Sequence, residues 1–171
     1  MILENSIEEF IERFRKYAAS GHLYPRLEGS PLLEFAAAGK VLYLLERTAP
    51  YAKLAGDVSV IVHPVIKTLK NIQLQPNLPP KLKPTELESD AAAVPLEEHA
   101  VERLEPLEQL FVSGISGVHG VGKILELQKG FIVVQAQIPL VLGILDDTMP
   151  KLLVGEWLRF ESEAVLHGFV I

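Results

Sequence analysis

Cysteine is absent from the 171 residues of the sequence. Disulfide bonds, thiolate metal sites and cysteine nucleophiles are therefore excluded. The five histidines are scattered, and none stands at the i,i+4 or His-x-His spacing that would bring two imidazole rings to one ion. We therefore expect neither a metal nor a cofactor.

Long apolar runs are also missing. A membrane-spanning helix needs roughly 18 uninterrupted apolar residues, and the nearest candidate, 131–145, is interrupted by Gln135, Gln137 and Pro139. The first residues carry no basic cluster of the kind that opens a secretion signal. These two features predict a cytoplasmic protein that has no membrane partner.

Basic residues are scarce where a nucleic-acid surface would need them. Residues 1–75 hold nine Lys or Arg against eight acidic residues, and residues 109–171 hold four against six. Residues 76–108 hold three against eight, so this segment alone carries −5 of the net charge of −6. Neither half of the chain has the charge of a nucleic-acid surface, and a nucleic-acid partner is disfavoured.

Apolar residues, by contrast, are abundant. They make up 49% of the chain, and counting the 12 glycines in place of the 4 tyrosines raises the fraction further, above the usual value of about 45–50%. This excess indicates apolar surface beyond one small core. Burial between copies of the chain is a natural use for it, so we expect a homo-oligomer.

The pattern over 1–75 predicts a helical unit that contains a short β element. Asn5 or Ser6 is placed to cap a first helix, which Gly21 closes. Its apolar residues recur at helical spacing and are Ile7, Phe10, Ile11, Phe14, Tyr17 and Ala18. A second helix, apolar on almost every side, is predicted over 32–45, because Ser30 and Pro31 resemble a cap followed by a first helical residue.

The β element of this unit follows at residue 58. Val58, Val60 and Val62 alternate with other residues as they do in a strand. Residues 65–74 match both helical spacing and alternation, and we favour an extended conformation there. The fold class predicted for the whole chain is α+β.

Residues 76–108 predict an exposed acidic connection. Proline lacks a backbone donor and restricts the residue before it, so the prolines of this stretch oppose regular ladders. A short amphipathic helix is predicted over 95–104, where Pro106 follows.

Residues 109–171 predict a small β-barrel of the OB or SH3 type. Five or six short strands alternate with Gly-rich or turn segments, and closure would remove exposed edges from so small a sheet. The predicted strands span 110–116, 121–127, 131–137, 140–145, 156–161 and 165–171.

The segment from Gly117 to Lys123 matches the phosphate-binding pattern GxxxxGK, but Ile124 follows where such a loop needs Ser or Thr for magnesium. A strand turn or bulge that contains glycine is the better interpretation. A triad of Ser116, His119 and Asp146 can be drawn, but Val118 breaks the GxSxG pattern of a nucleophile elbow. We therefore predict no catalytic residue.

The sequence favours a non-enzymatic, oligomeric protein-interaction or assembly module with an unidentified protein partner. A single-stranded nucleic-acid-binding protein that uses the C-terminal barrel is the alternative, and a small enzyme is the third hypothesis. Candidate partner-binding residues share the Gly-rich segment and the single Trp region, and are Gly117, His119, Gly120, Lys123, Trp157 and Arg159.

Overall fold

The structure is a computed structural model that describes residues 6–48, 55–72, 107–145 and 151–171. The chain divides into two compact units, one formed by Met1–Ile72 with Leu107–Ile171 and the other by Gln73–Pro106. All described residues belong to the first unit. The predicted acidic connection with its short helix lies outside the described residues, apart from its last two positions.

Strands dominate the first unit. One helix, α1 (Ile7–Phe14), precedes a 3-10 turn (Arg15–Tyr17). The strands in the described part of the chain are β1 (Ala19–Leu23), β2 (Leu32–Ala37), β3 (Lys40–Glu46), β4 (Gly56–His63), β5 (Ile66–Ile72), β6 (Gln109–Ser113), β7 (Gly117–Gln128), β8 (Phe131–Ala136), β9 (Ile138–Gly143), β10 (Trp157–Ser162) and β11 (Leu166–Val170).

Five strands close into a barrel in the order β1-β2-β3-β11-β4. Neighbours in this barrel are antiparallel except β3 and β11, which run parallel with Leu44 opposite Leu166. Strand β11 therefore joins two strands, β3 and β4, that lie more than a hundred residues earlier in the chain. The barrel depends on one strand from the far end of the sequence.

The remaining strands form a six-stranded sheet in the order β5-β10-β7-β8-β9, and β6 also pairs with β7. Strand β7 has twelve residues, enough to pair with two strands along one edge. Its first half pairs with β6, where Gly117 lies opposite Ser113, and its second half pairs with β8, where Lys123 lies opposite Gln135. Strand β10 pairs along the other edge of β7.

The main hydrophobic core combines residues of the barrel and of the sheet. Phe35, Leu42 and Leu44 enter it from the barrel, and Leu110 and Phe160 enter it from the sheet. These side chains alternate along their strands with more exposed ones, the period of two that a strand with one buried face requires. Barrel and sheet are therefore stabilised by shared apolar burial.

A second hydrophobic cluster places α1 across the outside of both. Phe10 and Phe14 of the helix pack with Ile61 and Phe169 of the barrel and with Phe131 of the sheet. The Ser6 side chain accepts a hydrogen bond from the Glu9 backbone N–H at 3.1 Å. This confirms the start of the predicted first helix and its Ser6 cap. The predicted end at Gly21 is wrong, because the helix stops at Phe14 and Gly21 lies in β1, where it pairs with Val58.

Glu126 fastens the turn that follows α1. Its carboxylate accepts hydrogen bonds from the Tyr17 hydroxyl and the Gln128 amide, and lies 3.0 Å from Lys16 Nζ. The bond from Tyr17 contributes most to stabilising the charged form, and together these contacts lower the pKa of Glu126 to about 2. The Glu126 carboxylate therefore attaches the 3-10 turn to β7.

The predicted α+β class, with a helical N-terminal unit and a separate C-terminal barrel of the OB or SH3 type, is wrong. Among the described residues about 60% are in strands and 9% are helical. Four of the five barrel strands come from the N-terminal half. The C-terminal strands β6 to β10 instead build the open sheet, and only β11 enters the barrel.

The predicted second helix over 32–45 is the clearest error. It forms the β2–β3 hairpin, whose two-residue turn, Ala38 and Gly39, has φ of +50° and +73°. A turn with two positive φ values matches the twist of paired strands. Residues 32–45 are apolar at nearly every position, so their pattern does not distinguish a helix from a buried strand. This ambiguity explains the error.

The other N-terminal predictions agree with the structure. Val58, Val60 and Val62 lie in β4, and the ambiguous stretch 65–74 contains β5, which confirms its extended conformation. No helix in the described ranges combines the length and the apolar character needed to cross a membrane.

Candidate functional site

A shallow groove of the sheet lies across β5, β10, β7 and β6. Pairing aligns one row of side chains over all four strands, with Lys70 opposite Arg159, Arg159 opposite Val121 and Val121 opposite Gln109. All four line one shallow groove. The intervening residues, such as Phe160 and Leu110, point into the core.

A second row lies beside the first. Thr68 is opposite Glu161, Glu161 is opposite His119, and His119 is opposite Phe111. These residues line the same groove. We call the eight residues of the two rows the groove face.

Two cations face each other in the first row of the groove face. Arg159 and Lys70 are exposed and directly opposite each other. Within the described residues neither one forms an ion pair. Like charges directly opposite in a sheet are destabilising, and an anion placed between them would remove that cost.

An aromatic pair stands in the second row. The rings of Phe111 and His119 stack with centroids 5.3 Å apart and planes 25° apart. Lys40 Nζ, from the barrel, lies 5.7 Å from the Phe111 centroid, within range of a cation–π contact. Phe111 is nevertheless 47% exposed, so an apolar partner group has room to contact it.

The structure brings four of the six predicted site residues to one side of β7 and β10. His119 and Arg159 are exposed on the groove face. Lys123 and Trp157 are opposite each other in the next row, but Trp157 is only 5% exposed. Trp157 is therefore a poor contact residue for a partner.

The two predicted glycines serve the packing of strands. A Cβ on Gly120 would lie 2.1 Å from the Gln109 carbonyl oxygen, and one on Gly117 would lie 2.8 Å from the Ser113 carbonyl oxygen. The whole GxxxxGK segment lies inside β7, and a strand continues past its lysine. A phosphate loop needs a helix N-terminus there. The predicted turn or bulge is not found in this segment either, because residues 117–123 pair continuously and the register of β7 shifts only between Ile124 and Glu126.

Sequence reasoning missed Lys70, Phe111 and Glu161 as members of one surface. Alternation along 68–70 and 159–161 was a usable signal that these side chains share faces. Pairing of β5 with β10, however, joins segments about ninety residues apart, and local patterns carry no information about such a pairing.

Ser116 has a structural role. It is 4% exposed, its hydroxyl donates to the Tyr43 carbonyl oxygen at 2.6 Å, and the same oxygen accepts from the Leu166 backbone N–H at 3.0 Å. The hydroxyl thus links the sheet to β3 and β11 of the barrel. Asp146, the third member of the triad considered above, lies outside the described residues.

His63 is the one buried histidine among the described residues. It is 3% exposed, Nδ1 lies 2.6 Å from the Val141 carbonyl oxygen, and Nε2 has no hydrogen-bond partner. Burial lowers its pKa to about 4, and nearby His167 and Arg47 act in the same direction. The ring is therefore neutral at physiological pH and donates from Nδ1 to Val141.

A second shallow depression contains a His–Asp pair. His22 Nδ1 lies 3.0 Å from Asp57 Oδ1, with Ser20 and Ser59 nearby. The Asp57 side chain is 97% exposed, and such a water-screened carboxylate contributes little to activating a histidine. The described residues contain no group of three or more His, Cys, Asp or Glu side chains that could hold a metal ion.

Comparisons with protein-family models, with curated proteins and with solved structures found no match.

Proposed function

We propose that this protein is a non-enzymatic protein-interaction module, and that the groove face is its binding surface. Arg159 and Lys70, which lie opposite each other and form no ion pair among the described residues, carry the proposal. Their mutual repulsion costs folding stability, whereas a partner's anion converts the same arrangement into a binding site. The exposed ring of Phe111 adds apolar contact area to the groove.

The location proposed with this function is the cytoplasm. A chain of this size that functions without any cysteine suits a reducing compartment. Self-association belongs to the same proposal, because strongly exposed apolar residues remain on the described surface, among them Leu107, Ile115, Leu153 and Val154.

Site-specific photocrosslinking in cells tests the binding surface. A photoreactive amino acid at Gln109, on the groove face, is compared with one at Lys129, which is exposed in the turn between β7 and β8. We expect a protein adduct from position 109 that Arg159→Glu abolishes. Equal adducts from both positions, or an adduct that survives Arg159→Glu, would refute this surface.

A further inference from the structure

We infer that the partner presents to the groove face an extended segment with an acidic side chain and an aromatic or large apolar side chain four positions apart. This inference rests on the proposed function and specifies its ligand. The acidic carboxylate would lie between Arg159 and Lys70, and the apolar side chain would pack against Phe111.

The acidic position follows from charge. Arg159 presents up to five N–H donors and Lys70 presents three, and both are exposed and unpaired among the described residues. A carboxylate accepts hydrogen bonds from both at once. Such charge-assisted bonds are about twice as strong as neutral ones.

The spacing follows from sheet geometry. Arg159 lies on β10 and Phe111 lies on β6, which is two strand spacings away across β7. Along the strand direction, the two residues are one row apart, which corresponds to two residues of a strand. With strands about 4.8 Å apart and rows about 6.7 Å apart, this diagonal is about 12 Å. Residues four apart in an extended chain lie on the same face about 13 Å from each other. One extended segment therefore reaches both positions, with its middle residue over Val121 and His119.

Glu161 makes a protein segment a better fit than a nucleic-acid strand. It lies in the second row, directly beside His119, where it repels a chain that carries a phosphate at every step. Strong binding to nucleic acid depends on neutralising several phosphates in series. A ligand with a single anion needs only the cation pair of the first row.

Fluorescence anisotropy with defined peptides tests the inference on the full chain. The probe is a labelled, otherwise Gly/Ser peptide that carries Asp and Phe four positions apart. We expect Arg159→Glu or Phe111→Ala to weaken binding at least about tenfold, because each removes one of the two anchors. The control Lys129→Glu changes the net charge as Arg159→Glu does, and should leave binding unchanged.

Charge exchange separates recognition from a merely structural effect. The double variant Arg159→Glu, Lys70→Glu should bind a peptide that carries Lys in place of Asp, and the wild-type protein should not. Both cations are exposed, and the double variant again places two like charges opposite each other, so it should keep the wild-type unfolding temperature. Arg159→Glu alone places opposite charges across the two strands and should not lower that temperature.

Three results would overturn the inference. The first is equal binding of the probe by the wild type and by Arg159→Glu, and the second is equal binding of peptides that lack Asp or Phe. The third is salt-sensitive binding of an oligo-dT strand of about 15 nucleotides that is tighter than binding of the probe peptide. The photocrosslinking experiment remains separate. An adduct at position 109 together with failure of the peptides would leave the binding surface intact and remove only the inferred ligand.

Discussion

At the scale of single residues, burial of His63 between barrel and sheet makes the free energy of unfolding depend on pH. Phe10, Phe131 and Phe169 surround its ring, with centroids 5.1 to 6.4 Å away. A Cβ on Gly143 would lie 2.6 Å from His63 Cε1, so the neighbouring strand leaves the ring no spare room. An added proton would have to be accommodated in this apolar, tightly filled environment.

Acidification should therefore destabilise the protein through His63. The pKa of this residue falls from 6.5 to about 4 on folding, so the unfolded chain takes up the proton first. The stabilisation is complete above about pH 6.5 and is lost as the pH falls towards 4. Between about pH 7.5 and pH 5 the loss is about 2 kcal/mol.

Urea unfolding over this pH range measures the effect. Over this range, the free energy of unfolding of His63→Gln should fall by about 2 kcal/mol less than that of the wild type. This difference does not depend on how stable the variant is at neutral pH. An unchanged slope in His63→Gln would show that this histidine does not carry the pH dependence.

At the scale of elements, the β2–β3 hairpin shows why apolar composition misled the prediction. Leu33, Phe35 and Ala37 are buried while their neighbours are not, but those neighbours include Leu32 and Ala36, which are also apolar. Burial therefore alternates from residue to residue along β2, whereas apolar and polar residue types hardly alternate at all. Strand β4 and the first two turns of helix α1 were predicted correctly. In α1, acidic and apolar side chains alternate at helical spacing, so residue type and burial agree there.

The turn of this hairpin contains a correctable strain. Ala38 is exposed and holds φ at +50°, a region that glycine and asparagine adopt far more readily than alanine. Ala38→Gly or Ala38→Asn should raise the free energy of unfolding by about 0.5–1 kcal/mol.

Thermal and urea unfolding of these variants check the hairpin turn. Ala37→Gly provides the matched control one position earlier, where the residue belongs to β2 and is buried. That change should destabilise by about the same amount, since glycine weakens a strand interior. Destabilisation by both Ala38 variants would contradict the assigned turn.

At the scale of the whole molecule, the pairing of distant segments was beyond sequence reasoning. Strands β5 and β10, like β3 and β11, come from opposite halves of the chain. The strands of the second half were largely located in the sequence. Their partners were not, because local alternation specifies a buried face but not the neighbour along each edge. The groove face exists only through those long-range pairings.

The proposed self-association belongs to the scale of the whole molecule and has a candidate surface. The pairing of β7 with β8 shifts between Ile124 and Glu126, and Leu125 projects from this bulge. Gly155 N–H donates to the Ile124 carbonyl oxygen at 2.9 Å, so the backbone that directly follows Leu153 and Val154 pairs beside this bulge. We call these three exposed apolar residues the bulge patch.

Light scattering after size exclusion should give a mass above the 18.9 kDa of one chain. Leu153→Asp should lower that mass, because it places a charge in the bulge patch. Leu27→Asp, which alters an equally exposed leucine before β2, should not. A mass of 18.9 kDa at every concentration would rule out self-association.

The parallel pairing of β3 with β11 has a consequence for synthesis on the ribosome. Strands β3 and β4 have both been synthesised once residue 63 is reached. The strand that lies between them and pairs with both, β11, ends only at Val170. While the intervening chain is translated, two strand edges stay open to other nascent chains. A chain that ends before residue 166 lacks the strand that covers these two edges, and we expect it to aggregate more readily than the full chain.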